Sequence, residues 1–178
     1  SFKESTGFIV SVMTVEDIYS AYSGNDNQDK IRNCIIDYYE TYNIEYVILG
    51  GDTDPNNSSQ DIIPHRGFYA VDDNDIPSDM YYCCLDGNWN DDGDTKWGEP
   101  GEYDLYAEVG IGRICVDNNT EVQNFTNKLI KYQDEPVIED IEKSLMIGEE
   151  LNNNPWTFGG DYKDEIAEGT SAYGFYTA

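Results

Sequence analysis

Between Asp86 and Glu99 the chain sets an oxygen donor at almost every second position. Asp86, Asn88, Asn90, Asp91, Asp92, Asp94 and Glu99 are interleaved with Gly87, Gly93 and Gly98. Counted from Asn88, donors occupy the first, third and fifth places, glycine the sixth and glutamate the twelfth. This is close to the spacing of an EF-hand loop, where the glycine permits a sharp turn and the last glutamate grips the ion with both oxygens. Two departures matter: the first place holds Asn rather than Asp, and the ninth holds Lys96. The expectation is therefore an irregular Ca2+ loop using Asp86, Asn88, Asn90, Asp92, Asp94 and Glu99, because carboxylates crowded this closely repel one another until a cation intervenes. The competing reading is an exposed acidic connection with Trp89 and Trp97 packed beneath it. A second acidic run, Asp72-Asp73-Asn74-Asp75, either adds ligands or forms a turn.

The nucleophile inventory is thin. Cysteines stand at 34, 83, 84 and 115, with no Cys-x-x-Cys pair, and the single histidine, His65, lies between Pro64 and Arg66. No zinc site follows from such a set. Cys34 falls on an apolar helical face and Cys115 in a predicted strand, so buried free thiols are expected, with a long-range disulfide left open for an exported protein. Neighbouring cysteines such as 83 and 84 do not readily bridge each other. A Cys83 or Cys84 pair with His65 needs the intervening loop to fold back, and no Gly-x-Ser-x-Gly element is present. Arg113 sits in a predicted core strand, where its charge needs a partner. Asp52 and Asp79 are the two acids placed to supply one.

These residues must be positioned by a chain of 178 residues with 36 acidic and 10 basic side chains, a formal net charge of −26. That balance excludes a phosphate-binding, nucleic-acid-directed surface and attraction to anionic membranes. It favours divalent cations, basic substrates, or a saline or extracellular setting, beside the simpler reading of a solvated acidic surface. No window is apolar enough to insert into a membrane. The ends carry no signal-peptide character, and the chain reads as a segment of a longer protein.

Apolar periodicity supplies the elements. Phe8–Val12 reads as a buried strand, and Thr14 opens a short helix through Tyr22. From Asn27 a helix is predicted with Ile31, Cys34, Ile35, Tyr38 and Tyr42 on one face. Strands are predicted over Tyr46–Leu49, Gly67–Val71, Glu108–Val116 and Ser144–Ile147. A helix capped by Thr120, with Gln123 in the capping-box place, turns Val122, Phe125, Leu129 and Tyr132 inward, and a short helix lies near Tyr162–Ala167. Strand, helix, strand with continuously apolar strands predicts an α/β protein: a mainly parallel sheet with helices on both faces, in three layers.

Several segments, in order, carry a family likeness: Tyr46-Val47-Ile48-Leu49-Gly50-Gly51-Asp52, Ser78-Asp79-Met80-Tyr81-Tyr82, Ile111-Gly112-Arg113, Lys128-Leu129-Ile130-Lys131-Tyr132, and Met146-Ile147-Gly148-Glu149 with Gly159-Gly160-Asp161. Together they resemble the first part of the peptidase domain of gingipain-type cysteine peptidases, peptidase family C25. The resemblance implies a caspase-like, Rossmann-like first subdomain over residues 1–143 and the beginning of a catalytic subdomain over 144–178. It implies a Cys–His dyad beyond Ala178, a missing C-terminal catalytic subdomain as partner, polypeptide substrates and an extracellular or cell-surface location. It further implies that Glu149 or Glu150 orients the catalytic imidazole, and that Asp161 selects a basic side chain of the substrate. The segment itself is then expected to be inactive, serving as a scaffold that calcium stabilises. The rival expectation is a caspase-like pseudo-enzyme or binding module of a secreted or surface protein.

Overall fold

A computed structural model describes residues 2–54, 61–71, 73–141 and 143–168. After a single helical turn, α1 (Phe2–Ser5), the Thr14 hydroxyl oxygen accepts from the Asp17 N–H at 3.2 Å and starts α2 (Val15–Ala21), as its sequence predicts. Asp26 does the same for α3 (Asn27–Tyr42), accepting from the Asp29 N–H at 2.8 Å. That helix stops at Asn43, whose φ of 53° is left-handed and whose N–H returns to the Tyr39 carbonyl. Ile31, Cys34 and Ile35 are buried along its face, Tyr38 is half-buried, and Tyr42 at its end is exposed.

Helix α3 leads into β1 (Tyr46–Gly50), which pairs in parallel with β4 (Gly110–Ile114), Tyr46 facing Gly110 and Leu49 facing Arg113. Between them, β2 (Arg66–Ala70) and β3 (Asp73–Ser78) form an antiparallel hairpin with a bulge between Phe68 and Ala70. A 3-10 turn, Met80–Tyr82, follows and packs against α3. Ile31, Leu49, Tyr82, Cys84 and Trp89 are central to the core. Then come α4 (Asn119–Asp134), α5 (Ile138–Ile141), the antiparallel pair β5 (Glu150–Asn153) and β6 (Trp156–Phe158), and α6 (Gly159–Glu168). Helices around a parallel strand pair make this an α/β protein, and among the described residues parallel pairing is confined to β1 and β4. The chain divides into two compact units, Ser1–Ile130 and Lys131–Ala178.

Three sequence expectations are corrected. Phe8–Val12 belongs to no strand, and its large side chains are exposed, because no neighbouring strand completes a ladder with it. The cap of α4 is Asn118, two residues before Thr120: its side-chain oxygen accepts from the Thr120 and Glu121 N–H groups at 3.1 and 3.2 Å, and Glu121 reaches back to the Asp117 N–H at 2.9 Å. On that helix Phe125 and Leu129 are half-buried while Val122 and Tyr132 are exposed. Ser144–Ile147 is not a strand; Leu145 and Ile147 are exposed, and pairing begins at Glu150.

Candidate functional site

The acidic loop after the 3-10 turn is pinned at its root. The Arg32 guanidinium, buried beneath it, donates to the carbonyls of Tyr81 (2.9 Å), Cys84 (3.0 Å) and Asp86 (3.1 Å). Trp89, with a left-handed φ of 67°, turns its ring inward to stack on Phe68 at 4.5 Å and donates its indole N–H to the Cys84 carbonyl at 3.3 Å. Carbonyls that the irregular backbone leaves without a ladder are thus satisfied by two side chains. Trp97 lies over Arg66, whose guanidinium carbon is 3.6 Å from the ring centroid.

From this root the acids fold on themselves. Asn88 accepts from the Asn90 N–H (2.7 Å), Asp92 from Asp94 (3.1 Å) and Asp94 from Lys96 (2.6 Å), a succession of side-chain turns that Gly93, at a left-handed φ of 72°, makes possible. They bring one carboxylate oxygen each of Asp92, Asp94 and Glu99 within 4.8 Å of one another. Asp86 falls elsewhere, in a second such group with Asp104 and Glu108. Asn88 is engaged in its own turn, and Asn90 donates to the Asp94 carbonyl at 2.9 Å. Lys96 lies 3.2 Å from Glu99 and already neutralises part of the first group.

Sequence reasoning missed Glu102, Asp104 and Glu108. They lie on the acidic run that continues past the twelfth EF-hand place. Glu102 accepts from the Asp91 and Asp92 N–H groups at 3.0 and 3.3 Å, Asp104 accepts from the Tyr106 N–H at 2.9 Å, and Glu108 accepts from the Leu85 N–H. One oxygen on each of Asn90, Glu102 and Asp104 is buried without a hydrogen-bond partner. Of the other acidic run, Asp72 lies outside the described residues, and Asp75 stands beside His65.

No reactive thiol–imidazole pair forms among the described residues. The His65 ring contacts the Thr53 hydroxyl (2.8 Å) through Nδ1 and Asp75 (3.3 Å) through Nε2. Burial pushes the Cys84 thiol up to about 12 and raises Cys83 as well, the opposite of an activated nucleophile. Cys34 is buried as expected, whereas Cys115 is exposed. Arg113 takes Asp79 of its two possible partners, with Nε at 2.9 Å and Nη2 at 2.6 Å, and caps the carbonyls of Gly51 and Ile63. It holds the end of β1 to the loop before β2 and is a structural ion pair.

Glu149, Glu150 and Asp161 all lie in the second unit and all are exposed. Glu150 opens β5 opposite Phe158, and the Glu149 carbonyl accepts from the Gly159 N–H at 2.7 Å. Gly148 approaches Gly160 so closely that a Cβ on it would stand 2.6 Å from the Gly160 Cα. Asp161 occupies the first turn of α6, where an acid is favoured by the helix dipole.

The first unit is thus an α/β scaffold that carries a pinned acidic loop and holds the Cys83 and Cys84 thiols in surroundings that raise them. The chain belongs to peptidase family C25, the gingipain-type cysteine peptidases, whose family model matches residues 1–176. No curated protein and no solved structure matches it. None of the helices described is long and apolar enough to cross a membrane.

Proposed function

We propose that this chain is the N-terminal, non-catalytic part of a gingipain-like cysteine endopeptidase, acting on polypeptides outside the cell or at its surface. In this reading residues 1–143 form the first subdomain of a three-layer, caspase-like domain, residues 144–178 begin the catalytic subdomain, and the chain scaffolds a companion segment that carries the Cys–His dyad. Glu149 or Glu150 would orient the imidazole of that dyad, since a carboxylate on the ring stabilises its charged form beside a thiolate. Asp161 would meet a basic side chain of the substrate. The observation that carries the reading is the family match over residues 1–176 together with burial that raises the Cys34, Cys83 and Cys84 thiols. Incubated with fluorogenic peptides ending in Arg or Lys, the chain alone should give no turnover. Hydrolysis above blank that disappears on Cys83→Ser or Cys84→Ser substitution would overturn the assignment.

Calcium at the acidic loop belongs to the same proposal. Asp92, Asp94 and Glu99 form the group proposed to hold it, and Glu102, which accepts from the Asp91 and Asp92 N–H groups and keeps one oxygen buried without a partner, stands beside that group. If the folded chain binds Ca2+ and the unfolded chain does not, a hundredfold excess over Kd adds about 2.7 kcal/mol of stability. Calcium should therefore raise Tm, Asp92→Ala should remove most of that rise, and Asp134→Ala, outside the loop, should leave it. A Tm shift no larger than sodium chloride gives at equal ionic strength would refute the site.

A further inference from the structure

His65 is the single histidine of the chain, and its ring joins two segments of the first unit. Nδ1 stands 2.8 Å from the Thr53 hydroxyl, in the loop after β1, and Nε2 stands 3.3 Å from Asp75 of β3. Thr53 in turn donates to Asp61 at 3.1 Å, and the same Asp61 oxygen accepts from the Asp54 N–H at 2.6 Å. Asp75 reaches the ring across Gly67 of β2, where a Cβ would collide with its carboxylate and stand 2.9 Å from its Cα. Asp75 belongs to neither carboxylate group of the acidic loop. The backbone beside the ring is fixed. Gln28 of α3 donates to the His65 carbonyl at 3.0 Å, and the Tyr82 hydroxyl donates to the Pro64 carbonyl at 2.5 Å.

Counting protons decides which form of the ring this arrangement suits. A hydroxyl has one proton to give, and Thr53 gives it to Asp61, so its oxygen is left to accept and Nδ1 must donate. A carboxylate only accepts, so Nε2 must donate as well. All the contacts are met together only by the imidazolium. A neutral ring gives one up: either Thr53 turns its proton from Asp61 to Nδ1, or Nε2 loses its proton and Asp75 swings into water. Asp75 is 77% exposed, and such a pair alone contributes little, so the half-buried Thr53–Asp61 side decides. The other titratable groups around the ring are Asp54, Tyr19 of α2, which faces Asp61, and Arg66, whose guanidinium is taken by Asp26 and Asp29. Strand β2 also meets the acidic loop, through the Tyr69 N–H on the Trp97 carbonyl at 2.8 Å and Phe68 stacked on Trp89. We propose that His65 is a proton-dependent latch, fastening the β2–β3 hairpin to the loop after β1 when its ring is charged and loosening it when the ring is neutral.

The test uses the intact chain, whose single imidazole can be followed by nitrogen-15 NMR. At about pH 5.5 both ring N–H groups should exchange with water at least about tenfold more slowly than those of free histidine. Hydrogen exchange, corrected for its intrinsic dependence on pH, reads the latch itself. The Asp54 amide and the β3 amides should be about tenfold better protected at about pH 5.5 than at about pH 8, beyond any change in residues 34–38 of α3. His65→Gln should remove that difference. Asp75→Asn, whose amide can donate to an unprotonated Nε2, should bring protection at about pH 8 close to that in acid. Ring N–H groups that exchange as fast as in free histidine overturn the proposal, as does a difference that persists undiminished in His65→Gln. The ring measurement needs no variant, so a His65→Gln chain that fails to fold leaves the test decisive.

Discussion

Among single residues, arginines do the work that regular ladders do elsewhere. Arg66 lies against the Tyr81 and Trp97 rings and binds both oxygens of Asp26 at 2.9 Å, with Asp29 at 3.2 Å. Asp29 also accepts from the Tyr81 hydroxyl, so one guanidinium ties the start of α3 to β2 and the 3-10 turn. Asp52 presents the opposite case. One of its oxygens is buried with no partner, and its acidity is weakened first by burial and then by the Asp117 and Asp54 carboxylates. A carboxyl whose folded pKa is raised binds its proton more tightly when folded. Its penalty is absent below the ordinary carboxylate value, grows as pH rises through the folded value, and persists above it. Asp52→Asn should therefore raise Tm near pH 7 and bring little change near pH 3. Thermal melts of both proteins across pH would show the two curves converging on the acid side. A gap that stays constant with pH, or that widens in acid, would remove Asp52 from this role.

Elements were legible where the local signal was complete. Thr14 carries the cap of α2, and the apolar face from Ile31 to Tyr42 carries α3, whose start at Asn27 the structure fixes with the Asp26 cap. The strands β1, β2 and β4 lie within about two residues of the apolar runs that predict them. Phe8–Val12 and Ser144–Ile147 have the same composition but no ladder, since apolar residues make a strand only when another strand accepts their backbone. The loop from Asp86 to Glu108 was legible as an acidic cluster but not as geometry. Asn88 went to a local turn, Asp86 to a separate group, and Glu102 entered from eleven residues beyond Asp91, a fold-back no linear spacing encodes. Glycine contacts are similarly invisible until the chain is folded. A Cβ at Gly148 would strike the backbone of Gly159 and Gly160, where no flexible side chain can yield. Gly148→Ala should cost about 1–3 kcal/mol locally, read as hydrogen-exchange protection lost by about tenfold to a hundredfold in β5 and β6 while α3 keeps its own. Unchanged protection of β5 would mean that the close approach does not hold this hairpin.

At the scale of the molecule, 36 acids against 10 bases set a repulsion that every local device works against. The well-placed cations are spent inward, Arg32 on carbonyls and Arg66 and Arg113 on buried or half-buried acids, so little basic charge remains to balance the surface. Domains of this size have only about 5–15 kcal/mol of net stability, and unscreened repulsion among surface carboxylates subtracts from it. Screening lengths fall from about 30 Å at 0.01 M salt to about 3 Å at 1 M, below the spacing of most surface charges. Tm should therefore climb as sodium chloride rises from about 0.01 to 1 M, steeply at first and then levelling as the screening length shortens. Potassium chloride should trace the same curve, because screening depends on ionic strength and not on the cation's identity. Calcium should act differently, at millimolar concentration and through the loop acids, so that Asp92→Ala removes the calcium response and leaves the salt response standing. A flat Tm across sodium chloride would show that the acidic surface is already relieved, by carboxyl groups holding protons or by spacing wide enough to make the formal charge irrelevant.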